Sequence, residues 1–250
     1  MSQTSPDPVT AAILVIGDEI LSGRTKDKNI GWIAERLTEV GVDVKEVRVV
    51  SDDQAAIVDA VRALSAGHTY VFTTGGIGPT HDDITADAIA AAFGVGISHD
   101  SRAVAMLREI FPAATLNEAR MRMARIPDGA DLIVNRVSKA PGFRVGNVHV
   151  MAGVPSIMQA MMEEIIPTLR TGPKMLSHTV LANAKEGEVG TPLGQIQKAH
   201  PEVAIGSYPF QDERGYNTNL VVRGRDEAKI AAAVTDIEAM LATIQAGRVS

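Results

Sequence analysis

Short apolar runs alternate with helical patterns along the first two thirds of the chain. The segment AAILVIG, which begins at Ala11, is a continuous apolar run closed by glycine. Such a run is typical of a strand buried on both faces of a parallel sheet. Residues 30–37 then carry apolar side chains at helical spacing, with Asp27 as a candidate N-cap and Gly41 just after the last turn. The pattern predicts a strand followed by a crossover helix.

The same order repeats downstream. The segment VDVKEVRVV (42–50) predicts a second strand, residues 56–64 predict a helix capped by Ser51 or Asp52, and TYVFTT (69–74) predicts a third strand. Strands that alternate with helices favour a mostly parallel sheet with helices on both faces. We therefore expect an α/β fold here.

A glycine-rich segment, GGIGPTHDDIT, joins the third strand to a helix predicted over residues 86–93 and closed by Gly94. The turn KAPGF lies between two further strand patterns. The remaining predictions are helices near 101–110, 116–125 and 157–169, and strands in LIVN (132–135) and GNVHVMAG (146–153).

Beyond residue 172 the pattern changes to that of a small α+β unit. Pro192 fits the first helical position behind a Thr191 cap. The predicted elements are strands at 177–184, 203–208 and 219–223 and helices at 191–199 and 226–244. The first residues contain two prolines, two serines and an acid and predict a loose arm. The predicted organisation is a flexible arm (1–10), an α/β domain (11–171) and a small α+β domain (175–250).

The composition argues against a nucleic-acid partner. Twenty-four basic against thirty acidic residues give a net charge of −6, the wrong sign for a protein that must neutralise a phosphate polymer. The segment GEVG at 187–190 mimics a GxxG RNA-binding loop, but Glu188 and Val189 at its centre offer no cation. We expect no nucleic-acid partner.

The compartment and the metal chemistry are also constrained. No stretch approaches the roughly 20 apolar residues that span a bilayer, and the first residues lack a signal peptide pattern, so we expect a cytoplasmic protein with no membrane partner. The chain has no cysteine. Disulfides and thiolate metal sites are thereby excluded, and any metal must bind oxygen or imidazole ligands.

The glycine-rich segment is the strongest candidate binding site. Gly75, Gly76 and Gly78 permit positive φ and leave no Cβ between the backbone amides and a ligand. The helix that follows points its positive end at the same space, which suits a phosphate or diphosphate. The alternative is a tight strand-to-helix turn, capped by Asp83 or Thr85, that only reverses the chain.

Acidic side chains accompany this segment. Asp82 and Asp83 would repel a phosphate unless a divalent cation bridges them, and the alternative is a solvated pair at a helix start. Asp18 and Glu19 follow the first strand, at the same edge of the sheet. Together these four acids predict a cluster around Mg²⁺, Mn²⁺ or Co²⁺, with Asp82 and Asp83 as the metal ligands. Asn29, at the next helix start, is a ligand candidate, with capping as the alternative.

Six motifs, in this order and spacing, resemble the molybdopterin-binding domain that is shared by molybdenum-cofactor biosynthesis proteins and by the N-terminal half of the competence/damage-inducible protein A (CinA) family. The resemblance covers residues 10–170. The motifs are GDEILSG (17–23), DKN (27–29), VVSDD (49–53), TTGGIGPTHDDIT (73–85), NRVSKAPGF (135–143) and MAGVPSIMQAMMEE (151–164).

The resemblance implies a MogA-like three-layer α/β fold that binds a phosphorylated pterin or nucleotide, followed by a small α+β domain of roughly KH-like shape. Molybdopterin is one candidate ligand. The implied ligand-binding residues are Thr74, Gly75, Gly76, Ile77, Gly78, Thr85, Asn29, Pro141 and Gly142, and the implied catalytic residues are Asp83, Asp82, Asp18 and Glu19.

The two branches of the family imply different reactions. Molybdenum-cofactor members adenylylate molybdopterin with ATP and Mg²⁺, whereas CinA members resemble a metal-dependent ADP-ribose pyrophosphatase. Asp82 stands where the adenylylating members usually have arginine, which favours hydrolysis of ADP-ribose. The alternatives are molybdopterin binding or adenylyl transfer, and a ligand-binding module without turnover.

The chain also departs from the CinA pattern. Ser138 and Lys139 stand within a turn that is GTAPGF-like in that family, and GVPSIM replaces a GPPxEM-like turn. The C-terminal deamidase domain of CinA proteins is not in this sequence, so we do not expect nicotinamide-nucleotide deamidation. The methionine-rich face of the 157–169 helix predicts a homo-oligomer, either a dimer or a trimer.

Overall fold

Two sheets of different character organise the two units of the chain, which meet in sequence between Gly172 and Pro173. The computed structural model describes residues 8–213 and 215–247. The sheet strands of the first unit are β1 (Val9–Ile16), β2 (Val42–Val50), β3 (Tyr70–Thr74), β6 (Asp131–Ile133), β7 (Gly142–Val145) and β8 (Val148–Met151). Their order in the sheet is β2-β1-β3-β8-β7-β6. The first four are parallel, and β7 runs antiparallel to both of its neighbours.

Helices cover both faces of this sheet. They are α1 (Asp18–Leu21), α2 (Ile30–Glu39), α3 (Gln54–Gly67), α4 (Thr85–Phe93), α5 (Ser101–Ile110), α6 (Glu118–Arg122) and α7 (Pro155–Ile165). Helices α3, α4 and α5 contribute buried side chains to the core on one face, and α2 and α7 to the core on the other. The predicted three-layer α/β fold with a mostly parallel sheet is confirmed.

Strand β1 shows why the fold assembles this way. Leu14 and Ile16 point into the core under α3 and α4, whereas Ile13 and Val15 point into the core under α2 and α7. Because side chains alternate across a strand, only a continuous apolar run satisfies both cores. Each fully buried side chain of this size stabilises the fold by roughly 1.5–3 kcal/mol.

The methionines of α7 belong to this interior. Met158, Met161 and Met162 are 0% exposed and pack in the same core as Ile13 and Phe72. They therefore present no apolar face to a second subunit. The sequence argument for a dimer or trimer loses its basis, and the oligomeric state stays a prediction.

Several boundaries differ from the expectations. Val9 and Thr10, expected in the flexible arm, belong to β1, and residues 1–7 of that arm lie outside the described residues. The cap of α3 is Asp53, not Ser51 or Asp52, because its carboxylate accepts a hydrogen bond from the Ala56 amide.

The sequence also concealed two short antiparallel pairings. The helix expected over 116–125 ends at Arg122, since the chain then forms β5 (Arg125–Pro127), which pairs with β4 (Ile97–His99). Strand β7 begins inside the KAPGF turn. Strands of three or four residues are too short to show an alternating pattern.

The second unit places two helices against an antiparallel sheet. Its elements are β9 (Leu176–Leu181), α8 (Glu186–Ala199), β10 (Ala204–Asp212), β11 (Gly215–Gly224) and α9 (Glu227–Ala246). The strand order is β10-β11-β9. Leu220 and Val222 of β11 pack with Val189 of α8 and Ile237 of α9. No helix in the described ranges of either unit is long and apolar enough to span a bilayer.

The start of α8 was predicted wrongly. The helix begins at Glu186 and not behind Thr191, so Pro192 lies within it. A carboxylate oxygen of Glu188 accepts from the Lys185 amide, and this first-turn contact outweighs the start signal of Pro192. The GEVG segment (187–190) is consequently helical and does not form a GxxG-type loop.

Candidate functional site

Three loops meet at the carboxyl ends of β1, β3 and β8. The Gly75 amide donates to the Met151 carbonyl at 3.2 Å. A Cβ on Gly75 would lie 2.1 Å from the Ile16 carbonyl oxygen, and a Cβ on Gly153 would lie 3.3 Å from the Gly75 Cα. The loops therefore touch backbone to backbone, at the edge where open α/β sheets bind ligands.

A crevice of about 590 Å³ opens over this junction. Its walls combine the glycine turn, the loop after β6 and the start of α7. The lining residues are Glu19, Thr25, Gly75, Gly76, Ile77, Gly78, Pro79, Asp83, Met123, Asn135, Ser138, Ala140, Ala152, Gly153, Val154, Pro155 and Ile157. A mainly apolar slot with a few polar groups is the usual character of a small-molecule site.

The glycine turn offers uncommitted amides to this crevice. Gly76, Ile77 and Gly78 line it, and within the described ranges their amides donate to no other residue. Gly76 has φ +65, and a Cβ there would lie 2.2 Å from the Thr85 hydroxyl. The turn thus needs glycine for both its conformation and its packing.

Thr85 holds the turn by two hydrogen bonds, whereas the buried Thr74 hydroxyl has no partner among the described residues. The buried Thr85 hydroxyl donates to the Gly75 carbonyl at 3.0 Å, and the Thr85 amide donates to the Gly76 carbonyl at 3.0 Å. Thr74 is 1% exposed and does not line the crevice. Neither Asp83 nor Thr85 caps α4, although the sequence suggested both. The Thr85 hydroxyl bonds to the Gly75 carbonyl instead, and the Asp83 carboxylate bonds to Thr80.

The Asp83 carboxylate forms hydrogen bonds within its own loop. Its Oδ2 accepts hydrogen bonds from the Thr80 amide at 2.7 Å and the Thr80 hydroxyl at 2.6 Å. Asp83 still lines the crevice, whereas the adjacent Asp82 is exposed and does not. The structure therefore separates two carboxylates that the sequence treated as a pair.

The two acidic residues after β1, Asp18 and Glu19, also differ in their position relative to the crevice. Glu19 lines the crevice, and Asp18 is exposed with its amide donating to Asp52 Oδ2 at 2.9 Å. Burial raises the pKa of Asp52, and the negative charges of Asp18, Glu19 and Asp82 raise that pKa further. An acidic group does gather at this edge, with Asp52 as a member that sequence reasoning missed.

These acids do not form a preformed metal site. Across the described residues, no group of three or more histidine or acidic side chains is placed to hold a metal ion. Mg²⁺ is commonly bound by one or two carboxylates together with substrate phosphates. Glu19 and Asp83 are the carboxylates among the crevice lining residues, so they are the candidates for that second arrangement, in which the cation binds together with a phosphorylated ligand.

Asn29 and its neighbour Asp27 shape the site from α2. The N-cap of α2 is Asn29 and not Asp27 as expected, although an oxygen of the Asp27 carboxylate accepts from the amides of Asn29 and Ile30, at 3.1 and 2.8 Å. The side chain of Asn29 is 5% exposed and donates to the Gly153 carbonyl at 2.9 Å. Asn29 thereby holds one crevice loop and does not itself line the crevice.

The loop after β6 is organised by Asn135, which the sequence did not single out. The buried side-chain amide of Asn135 donates to Ser138 Oγ at 2.5 Å and to the Ala140 carbonyl at 2.9 Å. Lys139 adopts φ +61, and its ammonium forms an ion pair with Glu109 at 3.1 Å. Ser138 consequently faces the crevice while Lys139 does not line it.

Pro141 and Gly142 lie apart from the crevice. Gly142 is the first residue of β7, and a Cβ there would lie 2.3 Å from the Val150 carbonyl oxygen. Pro141 lines a narrow opening behind the glycine turn, together with Arg122 and Arg125. The structure gives Gly142 a packing role in the sheet.

The crevice is poor in positive side chains. Neither lysine nor arginine is among its lining residues. Positive potential comes instead from the backbone, because Val154 and Pro155 at the start of α7 line the crevice and no side chain caps that helix. Val154 cannot serve as a capping side chain, so the helix start is left open to a ligand.

Comparisons with known proteins agree with this geometry. Residues 12–171 match the family described as a probable molybdopterin binding domain. Residues 174–247 match the middle domain of FAD synthase. The two matches correspond to the two units of the chain.

Relatives extend over most of the chain. A protein of Archaeoglobus fulgidus is 34% identical, with 92% of this chain and 96% of that protein covered. A CinA-like protein of Geobacter metallireducens is 32% identical over 92% of this chain and 58% of its own length. A probable FAD synthase of Caenorhabditis elegans is 29% identical, with 95% of this chain and 51% of that protein covered.

A solved structure supports the same assignment. The crystal structure of CinA from Thermoplasma acidophilum, described as a protein of unknown function, superposes with a TM-score of 0.61 at 35% identity. It covers 64% of this chain and 96% of its own. The chain therefore belongs to the family of proteins that carry the probable molybdopterin binding domain.

Proposed function

We propose that the crevice binds a phosphorylated aromatic heterocycle, either a pterin or an adenine nucleotide. The observation that carries the proposal is the row of uncommitted amides at Gly76, Ile77 and Gly78 beside an apolar slot. Backbone amides and helix starts bind phosphate without a cationic side chain. The slot, which includes Ile77, Met123 and Ile157, suits a flat ring.

The names of the relatives favour the same ligand class. One matched family is described as molybdopterin binding, and the Caenorhabditis elegans relative is named a probable FAD synthase. Molybdopterin and FAD both combine a fused heterocycle with phosphate. The shared chemistry is a flat ring with a phosphate group attached.

The test is a binding panel on the full chain. AMP, ATP, ADP-ribose and a phosphorylated pterin would be added with and without Mg²⁺, and each compared with its dephosphorylated counterpart by thermal shift and calorimetry. We expect at least one phosphorylated compound to raise the melting temperature in a saturable way, and its counterpart to do so less. Failure of every phosphorylated compound at millimolar concentration would overturn the proposal.

A second candidate is turnover of the bound compound. Glu19 and Asp83 reach the crevice and would hold a divalent cation that arrives with the phosphates. Such a cation lowers the pKa of bound water and neutralises charge on the phosphates. The two candidate reactions are hydrolysis of ADP-ribose to AMP and ribose 5-phosphate, and adenylyl transfer from ATP to a pterin with release of pyrophosphate.

Product analysis separates these reactions from plain binding. ADP-ribose, or ATP with a pterin, would be incubated with the protein and Mg²⁺, Mn²⁺ or Co²⁺, and the products identified by chromatography. AMP from ADP-ribose supports hydrolysis, and an adenylylated pterin supports transfer. Saturable binding with neither product would identify a ligand-binding module without turnover.

A further inference from the structure

Behind the glycine turn lies a second, much smaller opening. It holds about 10 Å³ and shares Gly76, Ile77, Gly78 and Asp83 with the crevice. The turn therefore borders both the crevice and this opening. An opening of that volume admits at most a single water molecule and is too small for the ligand itself.

Two arginines line this opening, and their partners differ. Arg125 donates from both η nitrogens to the Asp87 carboxylate, at 2.8 and 2.6 Å. Arg122 forms no ion pair with any carboxylate of the described residues. Its Nη2 donates to the Asp83 backbone carbonyl at 3.3 Å, and its Nε is buried without an acceptor in the same ranges.

Leaving a guanidinium in this state is energetically unfavourable. The buried Nε of Arg122 has no partner in the described ranges, and a buried donor in that state costs about 1–3 kcal/mol. Asp83 and Asp87 line the same opening, but Asp87 pairs with Arg125 and Asp83 Oδ2 accepts from Thr80. The fold instead keeps Arg122 charged and unpaired directly behind the amides proposed to hold a phosphate.

The crevice needs such a charge. Glu19 and Asp83 line it, Asp52 lies at the same edge, and none of the lining residues that the structure describes is a lysine or an arginine. An anion entering this space meets net negative potential unless another group offsets it. Arg122 carries a positive charge and lines the opening next to the glycine turn, so it adds positive potential at the turn amides.

We propose that Arg122 is a positioning residue for the anionic part of the ligand. It anchors the Asp83 end of the glycine turn through the backbone carbonyl, and its unpaired charge makes the Gly76–Gly78 amides a competent phosphate site. Arg122 does not touch the ligand. The inference rests on the proposed function, because it assumes that an anion binds at the turn.

The experiment measures dissociation constants by calorimetry for AMP, inorganic pyrophosphate and uncharged adenosine. The variants are Arg122→Gln and Arg122→Lys, and folding of each is checked by its melting temperature. The matched control is the double variant Asp87→Asn/Arg125→Gln, which removes a cation from the same opening together with its carboxylate and leaves the net charge unchanged.

We expect Arg122→Gln to weaken AMP and pyrophosphate about tenfold while adenosine stays within about twofold. Arg122→Lys restores AMP binding to within about threefold of wild type, and the double variant binds as wild type does. The dependence of AMP affinity on salt concentration becomes shallower in Arg122→Gln, which a purely structural role would not produce.

Three outcomes would contradict these expectations. Unchanged AMP binding in Arg122→Gln overturns the inference while the proposed function stands. Equal loss of adenosine and AMP, without rescue by lysine, shows a structural brace and also overturns it. If wild-type protein binds none of the three probes, the inference fails, whereas the proposed function falls only when ATP, ADP-ribose and the phosphorylated pterin fail to bind as well.

Discussion

Glycine serves opposite purposes in the two units. Gly75 and Gly76 have φ values of +106 and +65, and a Cβ on either would lie within 2.2 Å of a neighbouring atom. The glycines of the 187–190 segment lie inside α8 with open space around them. Spacing does not distinguish the two segments. What differs is the context, because a buried strand precedes the first segment and exposed helix surrounds the second.

The strands of the two units also differ, in how deeply they are buried. All four residues of β8 are buried, including a histidine, whereas every residue of β9 except Val180 is exposed. Strands buried on both faces hold their ends rigidly, and the crevice loops begin at those ends. We therefore expect substitutions near the crevice to have much larger effects than equivalent ones in the second unit.

The largest difference is expected between two glycine-to-alanine changes. Gly75→Ala should destabilise the first unit by about 3 kcal/mol or more, because φ +106 and the Ile16 carbonyl leave no place for a methyl group. Gly190→Ala in α8 should stabilise by about 0.5–1 kcal/mol. Denaturant unfolding of both variants checks the pair, and similar effects would break the comparison.

The next effect is a dependence of stability on pH. Burial, together with the smaller effect of the nearby Arg144 charge, lowers the pKa of His149 from 6.5 to about 4. The unfolded chain takes up a proton first as pH falls, so stability is lost between about pH 6.5 and 4, by about 3 kcal/mol. Unfolding of His149→Phe, which keeps the ring that stacks on Phe72, should lack this component.

Titration of carboxylates also lowers stability in acid, so the informative quantity is the difference between the two curves. Wild type and His149→Phe should diverge only below about pH 6.5. Parallel curves down to pH 4 would contradict a neutral buried imidazole.

A smaller effect is expected from the hydroxyl under the turn. Thr85→Val keeps the shape of the side chain but leaves the Gly75 carbonyl without its donor, which should cost about 1–3 kcal/mol. The control is Thr191→Val on the exposed surface of α8, with an effect within about 0.5 kcal/mol. Thr85→Ser should recover part of the loss, and thermal unfolding of all three variants measures it.

The smallest effect concerns metal-dependent binding. Asp83→Asn or Glu19→Gln should weaken the Mg²⁺-dependent affinity for AMP about tenfold, since both carboxylates line the crevice. Asp82→Asn should change it less than twofold, because Asp82 is exposed and does not line the crevice. Calorimetry with and without Mg²⁺ makes the test. An equal loss in all three variants would restore the paired-acid interpretation.

The sequence predicted the layers of the first unit well, and local signals explain why. The continuous apolar run of β1 and the glycines after β3 depend on nearby residues alone. Strands β4, β5 and β7 were missed because they are short and lack the apolar run that marks β6 and β8. The start of α8 was misplaced because Pro192 is a strong signal that a first-turn hydrogen bond overrides. Element boundaries thus depended on side-chain contacts.

The sequence predicted only those site residues whose role follows from their immediate neighbours in the chain. Glu19, Asp83 and the turn were found because they follow strand ends, and Asp18 and Asp82 were chosen by the same rule although their side chains point elsewhere. Asn135 and Arg122 were missed because their roles depend on contacts made by folding. An asparagine three residues before a serine in a glycine-proline loop was the one available hint for Asn135.

The meeting of Ile16, Gly75 and Gly153 has an evolutionary consequence. Because that junction consists of main-chain atoms, exchange of side chains cannot reshape the bottom of the cavity without breaking the fold. Diversification among related proteins must therefore act on the walls, at positions such as Ser138, Met123 and Val154. Related proteins can in this way bind different ligands above the same main-chain junction.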